Sequence, residues 1–203
     1  GSSFSFLLSG DKTTGGSKLK LGKPDGYIFI LGLMVFFASL CEGGMFDWSG
    51  VYFKEVVGEE IFTLGYLTFM VFMAISRFCS DLVIEKIGMP KTYIISSLMV
   101  VFGVLTVVLF PYFWPALIGF SVVGLGIAAV MPMTMGLAGE SPKYSPGMAI
   151  SIVTTYSVTG MLLGPPLVGY LAELLGLKIA FLLFLIAGLM LYPISRRFFK
   201  RQE

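Results

Sequence analysis

The sequence predicts an all-α membrane protein with six transmembrane helices, and three observations carry that reading. The chain has 203 residues, 56% of them hydrophobic, with a mean hydropathy of +0.90. Charged residues make up only 13%, against roughly 25% in a soluble domain, too few to coat a globule of this size. The uncharged residues gather in long blocks, and the basic residues fall in alternate gaps between them. A cytosolic enzyme is excluded on these grounds.

The spans follow in order. A helical span needs about 20 predominantly apolar residues. Tyr27–Phe53 is the first, interrupted chemically by Glu42 and Asp47. The second is 61–80, with Arg77 near its end. Thr92–Gly139 holds 48 residues without a charge, too many for one helix. Pro111 and Pro115 in "PYFWP" divide it into 92–110 and 116–139, because proline removes a donor and disfavours helix before it. Spans over 146–172 and 178–195 complete six. A membrane barrel is excluded, since it needs alternating segments of about 10 residues rather than solid apolar blocks. Residues 1–26, rich in Gly, Ser and Lys, read as a flexible cytoplasmic linker, and 196–203 as a basic tail.

Orientation follows from the lysines and arginines. Six spans put both termini on one side, together with 12 of the 14 basic residues; only Lys54 and Lys178 lie opposite. The expectation is an integral membrane protein with both termini cytoplasmic. Trp48 and Trp114 both fall at the outer boundary, where aromatic side chains gather.

Several chemistries are excluded. The chain has no histidine and no asparagine, so histidine zinc sites, Ser-His-Asp triads and N-glycosylation are impossible. An intramembrane enzyme would need those groups or clustered carboxylates, so no catalytic residue, metal or cofactor is expected. Cys41 and Cys79 form no CxxC and read as packing residues. A net charge of +2 gives no support for nucleic-acid binding. The segment "GDKTTGGSK" lacks the ending and the strand of a phosphate-binding loop. No signal-peptide pattern is present, and Gly1-Ser2-Ser3 reads as a cloning scar or the edge of a longer protein.

Charges within spans are costly, and so mark functional candidates. Glu42 lies about 22 Å along the first helix at 1.5 Å per residue, in the outer half of the membrane, with Gly43 and Gly44 beside it. It reads as a carboxylate that takes a proton or meets a polar solute; hydrogen bonding for packing is the alternative. Asp47 is near the outer edge, about 140° around the helix from Glu42. Arg77 is expected only about 6 Å from the cytoplasmic side, roughly 16 Å in depth from Glu42. Its expected partner is therefore Asp81, one turn on. In "GMLLGPPLVG", Gly160 and Gly164 permit close helix approach, and Pro165 and Pro166 add a kink.

These residues together resemble the major facilitator superfamily. "SRFCSDLVIEKIGMPK" is similar to its cytoplasmic loop signature, with Asp81, Lys86, Gly88 and Lys91 matching and Leu82 standing where a basic residue is usual. "GMLLGPPLVG" resembles the glycine-proline signature of a span between halves. "EGGMFDWS" resembles the first span of the second half in the bacterial sugar-permease branch of the fucose type. The resemblance implies the C-terminal six-helix half of a twelve-helix transporter of a bacterial inner membrane, moving a small polar solute, sugar-like by the branch it resembles, by alternating access with proton coupling. It implies that Glu42, Asp47 and Trp48 face the cavity. Arg77, Asp81, Lys86 and Gly88 would form a cytoplasmic latch. Gly160, Gly164, Pro165 and Pro166 would lie at a helix interface. The implied partners are the lipid bilayer, the solute and protons, and either an N-terminal half or a second copy in a parallel homodimer. A non-transporting fragment or scaffold that must pair remains the alternative.

Overall fold

The computed structural model describes residues 25–201. The expected linker lies outside the described residues except for Asp25 and Gly26, as do Gln202 and Glu203 of the tail.

Six helices long and apolar enough to cross a membrane follow one another. They are α1 Gly26–Val57, α2 Thr63–Ile87, α3 Met89–Leu109, α4 Phe113–Gly139, α5 Pro146–Leu175 and α6 Leu177–Phe199. In lipid a helix is favoured because it satisfies every backbone group within its own segment. The ends have local causes. A π-helical turn over Phe53–Val57 closes α1, and Gly58 (φ 83°, ψ 25°) stops it in the left-handed region. Pro115 falls in the first turn of α4, where its missing N–H has no helical partner in any case. The helical assignment of α4 breaks at Ala129. Pro132 accounts for this: it cannot donate to the Ala128 carbonyl, and its ring crowds that oxygen. The assignment of α5 runs unbroken through Pro165 and Pro166.

Two one-residue turns share a shape. Gly88 (φ 82°, ψ 155°) joins α2 to α3, and Gly176 (φ 85°, ψ 151°) joins α5 to α6. This backbone region belongs almost entirely to glycine. The turns lie at opposite ends of the bundle, so α1–α3 and α4–α6 repeat one motif in inverted orientation. The packing follows suit: α1 lies on α5 as α4 lies on α2, and α1 touches α6 as α4 touches α3.

The core falls into two layers. One gathers Met45, Tyr52, Phe120, Phe181 and Phe184; the other gathers Ile28, Leu31, Tyr93, Val130 and Phe198. They meet near the middle of the bundle, where α1 passes from Ala38 to Leu40 and α4 from Ala128 to Ala129. Buried hydroxyls cluster at that level: Ser39 faces Ser157 at 2.7 Å, and Ser97 donates to the Gly188 carbonyl at 2.7 Å. The spans are unequally covered. In α1 and α4, 67% of the most apolar stretch is buried, but in α2 and α5 only 17%. The bundle thus leaves α2 and α5 largely bare.

Candidate functional site

The site begins with the small residues of α1 and α5. A Cβ on Gly160 would collide with the Phe36 carbonyl, and one on Gly164 with the Leu40 carbonyl. Reciprocally, a Cβ on Gly43 would lie 2.5 Å from the Met161 oxygen. That oxygen has lost its helical donor, because its partner four residues on is Pro165. Glycine at these positions therefore lets the two backbones touch, and Gly43 leaves room for a carbonyl that projects from its helix. Trp48 tightens the same seam by donating its Nε1–H to the Pro165 carbonyl at 3.1 Å. Its ring packs over Gly169, where a Cβ would lie 3.1 Å from Cζ2. Trp48 thus serves helix packing, a role that its expected place at the membrane boundary did not reveal.

Beside this seam opens a cavity of about 520 Å³ between α1, α2, α4 and α5. Ser39 and Glu42 come from α1, Arg77, Ser80 and Asp81 from α2, Pro132 from α4, and Ser157 from α5. Glu42 and Arg77 form an ion pair across it, Nη2 to Oε1 at 2.8 Å. The Glu42 side chain is 13% exposed and that of Arg77 47%, so the carboxylate is sheltered and the guanidinium reaches open space. Arg77 also lies 3.9 Å from the Met73 sulfur. This is the single ion pair among the described residues.

The pairing overturns the expected Arg77–Asp81 partnership. The reason is the length of α2. It continues to Ile87 rather than ending near 80, which places Arg77 about 15 Å from that end by helical rise. Asp81, Glu85 and Lys86 are carried on the helix and not on a loop. The depth difference from Glu42 shrinks by the same shift, and the long arginine side chain spans the rest. Arg77 shares the wall of this cavity with Asp81 but makes its ion pair with Glu42.

The remaining expected residues are distributed as follows. Asp81 is exposed, lining both this cavity and a smaller one with Glu85 and Met89. Lys86 is exposed in the last turn of α2, and Gly88 forms the turn that follows. Asp47 is exposed and lines a separate pocket of about 380 Å³ with Gly43, Phe46, Met161 and Pro165. Pro166 is exposed on α5. Ser39, Ser80 and Ser157 belong to the cavity but were not singled out from the sequence. Ser39 carried a usable signal, since it precedes Glu42 by three residues and so shares its helix face.

Comparison with known proteins agrees with this architecture. The family model described as Major Facilitator Superfamily matches residues 35–203. An uncharacterized MFS-type transporter of Yersinia pestis is 30% identical over 160 residues, 78% of this chain and 42% of that protein. The uncharacterized transporter y4wD of Sinorhizobium fredii is 34% identical over 160 residues, again 78% of this chain and 42% of that protein. The membrane protein MosC of Rhizobium meliloti is 30% identical over 203 residues, 98% of this chain and 49% of that protein. The chain thus spans at most about half the length of these relatives. With six spanning helices and a family match over most of its length, the chain belongs to the Major Facilitator Superfamily, with the architecture of one six-helix half of that fold.

Proposed function

We propose that the chain is the C-terminal half of a secondary active transporter in a bacterial inner membrane. It moves a small polar solute by alternating access, with proton coupling through Glu42. The observation that carries this reading is the Glu42–Arg77 pair on the wall of an open cavity between four helices. An intramembrane ion pair is expensive to maintain and marks a solute or proton path by default. The half-exposed guanidinium holds a charged carboxylate in place. Protonation of Glu42 cancels that attraction and frees Arg77 to donate two parallel hydrogen bonds to a polar solute. Ser39, Ser80 and Ser157 add hydroxyls to the same wall. A sugar-like solute fits this donor-rich lining, and the likeness of "EGGMFDWS" to the fucose-type branch points the same way.

The bare faces of α2 and α5 support a second element of the proposal, a partner that covers them. An N-terminal half fills that place; a parallel homodimer is the alternative, and in it the chain acts as a scaffold until paired. The positions of the basic residues put both termini on the cytoplasmic side. Asp81, Lys86 and Gly88 then form the cytoplasmic latch at the α2–α3 turn.

Uptake into proteoliposomes tests the coupling. Wild-type protein with its partner half should respond to an imposed pH gradient, and Glu42→Gln should transport without that response. Unchanged pH dependence in Glu42→Gln would remove the coupling role. Cross-linking in membranes tests the pairing, which is overturned if only lone six-helix chains are found.

A further inference from the structure

A second pocket, of about 700 Å³, lies at the end of the bundle where α3 begins and α6 finishes. It shares no residue with the Glu42–Arg77 cavity. Pro90 and Ile94 of α3 form its apolar wall, and Tyr192, Arg196 and Arg197 of α6 face them together with Lys200 just past its end. Arg196 is held in place: it donates from Nη1 to the Tyr192 hydroxyl at 3.0 Å, and its guanidinium lies 6.0 Å from that ring. None of the three cations has a carboxylate partner among the described residues.

The surroundings select the ligand. Away from the basic cluster, Ile95, Leu98 and Phe102 of α3 and Ile186, Leu189 and Met190 of α6 are exposed. These helices pack on one another, so two apolar faces lead from the basic pocket into the depth of the membrane. The pocket sits in the last turn of α6, at headgroup level. Cations without a carboxylate partner among the described residues, beside exposed apolar side chains on both helices, match the chemistry of an anionic amphiphile. Arginine is suited to it because its planar fork binds phosphate oxygens in pairs.

We propose that this α3–α6 pocket binds the phosphodiester headgroup of an anionic phospholipid, whose acyl chains lie along the exposed faces of α3 and α6. Arg196, pre-positioned by Tyr192, grips the phosphate. Arg197 and Lys200 supply the remaining positive charge, and Pro90 and Ile94 shelter the glycerol backbone. The site does not depend on the identity of the transported solute.

Native mass spectrometry of the purified chain in neutral detergent, titrated with phosphatidylglycerol, tests the proposal. Wild-type protein should retain one lipid saturably and bind phosphatidylcholine far more weakly. The combined change Arg196→Gln, Arg197→Gln and Lys200→Gln should lower phosphatidylglycerol affinity by about tenfold or more, given the attraction of each basic residue to an anionic headgroup. The charge-retaining pair Arg196→Lys and Arg197→Lys should weaken binding less than the triple variant but measurably, because lysine keeps the charge and lacks the planar fork. Lys178→Gln, at the opposite end of the bundle, should leave it unchanged. If the triple variant does not fold, Arg197→Gln and Lys200→Gln singly carry the test, each lowering affinity about threefold by the same attraction. Equal retention by the variants overturns the site. So does an equal loss in Lys178→Gln, which indicates a general charge effect. Displacement of the lipid by inorganic phosphate also overturns it, because the ligand is then a soluble anion.

Discussion

Arg77 donates from Nη2 to Glu42 Oε1 at 2.8 Å, joining α2 to α1 across the wall of the cavity. The two ends of the pair are unequal. Glu42 is sheltered and Arg77 is half exposed, so the loss of one partner is not equivalent to the loss of the other.

Arg77→Gln should therefore destabilise the bundle more than Glu42→Gln. The first leaves a sheltered carboxylate without its cation, at a cost of about 2 kcal/mol after allowance for partial exposure. The second leaves a guanidinium that can turn to water or a headgroup, at a cost of about 1 kcal/mol or less. The double variant should recover part of the Arg77→Gln loss. Thermal unfolding in detergent gives the order, and equal shifts for both single variants would contradict it.

The α1–α5 seam should tolerate no side chain. Gly160→Ala and Gly164→Ala place a methyl against the Phe36 and Leu40 carbonyls. Backbone cannot step aside as a side chain can, so each change should cost about 2 kcal/mol or more by overpacking. Gly136 is the control, as nothing lies within 4 Å of its would-be Cβ. Gly136→Ala should be neutral or stabilising by up to about 1 kcal/mol, from helix propensity alone. A thermal series that ranks these three alike would show that the seam is looser than described.

The two matching turns should respond alike and differ from the third positive-φ glycine. Gly88→Asn and Gly176→Asn force a side chain into the extended region at positive φ, with ψ near 150°, at about 1–3 kcal/mol each. Gly58 adopts the ordinary left-handed conformation and has nothing near its Cβ position. Asparagine visits that region readily, so Gly58→Asn should cost well under about 1 kcal/mol. Melting temperatures of the three variants check the contrast.

Trp48→Phe should remove one hydrogen bond together with the ring atoms that pack over Gly169. The Pro165 carbonyl loses the Nε1–H donor, a loss of about 1 kcal/mol for a sheltered bond. Trp114, at 72% exposure, offers a comparison: Trp114→Phe should leave stability unchanged. It should also leave Trp48 as the sole indole, with emission from an environment away from bulk water. Emission from Trp48 as red-shifted as that of Trp114 would contradict its place against α5.

Much of the fold was readable because the bilayer simplifies the problem. A block of apolar residues has one stable solution in lipid, and prolines such as Pro111 mark where one block gives way to the next. Glu42, Gly160 and Gly164 were conspicuous for the same reason, a charge or a repeated small residue where lipid favours neither. The end of α2 was harder to read. Asp81, Glu85 and Lys86 look like loop residues, yet a helix passes into the headgroup region without penalty, and there its charges meet water. The error of seven residues hid the Arg77–Glu42 pair. Trp48 was harder to read for another reason: an indole near a boundary suits the lipid interface, and nothing local reveals that the Pro165 carbonyl on α5 lies within reach.

The sequence by itself determined the six spans, the small-residue stripe on α5 and the carboxylate within α1. These depend on burial, sterics and backbone freedom, which act along one segment. Only the tertiary structure decided that Glu42 meets Arg77, that Gly43 faces the oxygen freed by Pro165, and that α2 and α5 remain bare. Each of these depends on how far one helix slides and turns against another. That register is set by contacts spread over the whole interface, and no single residue announces it.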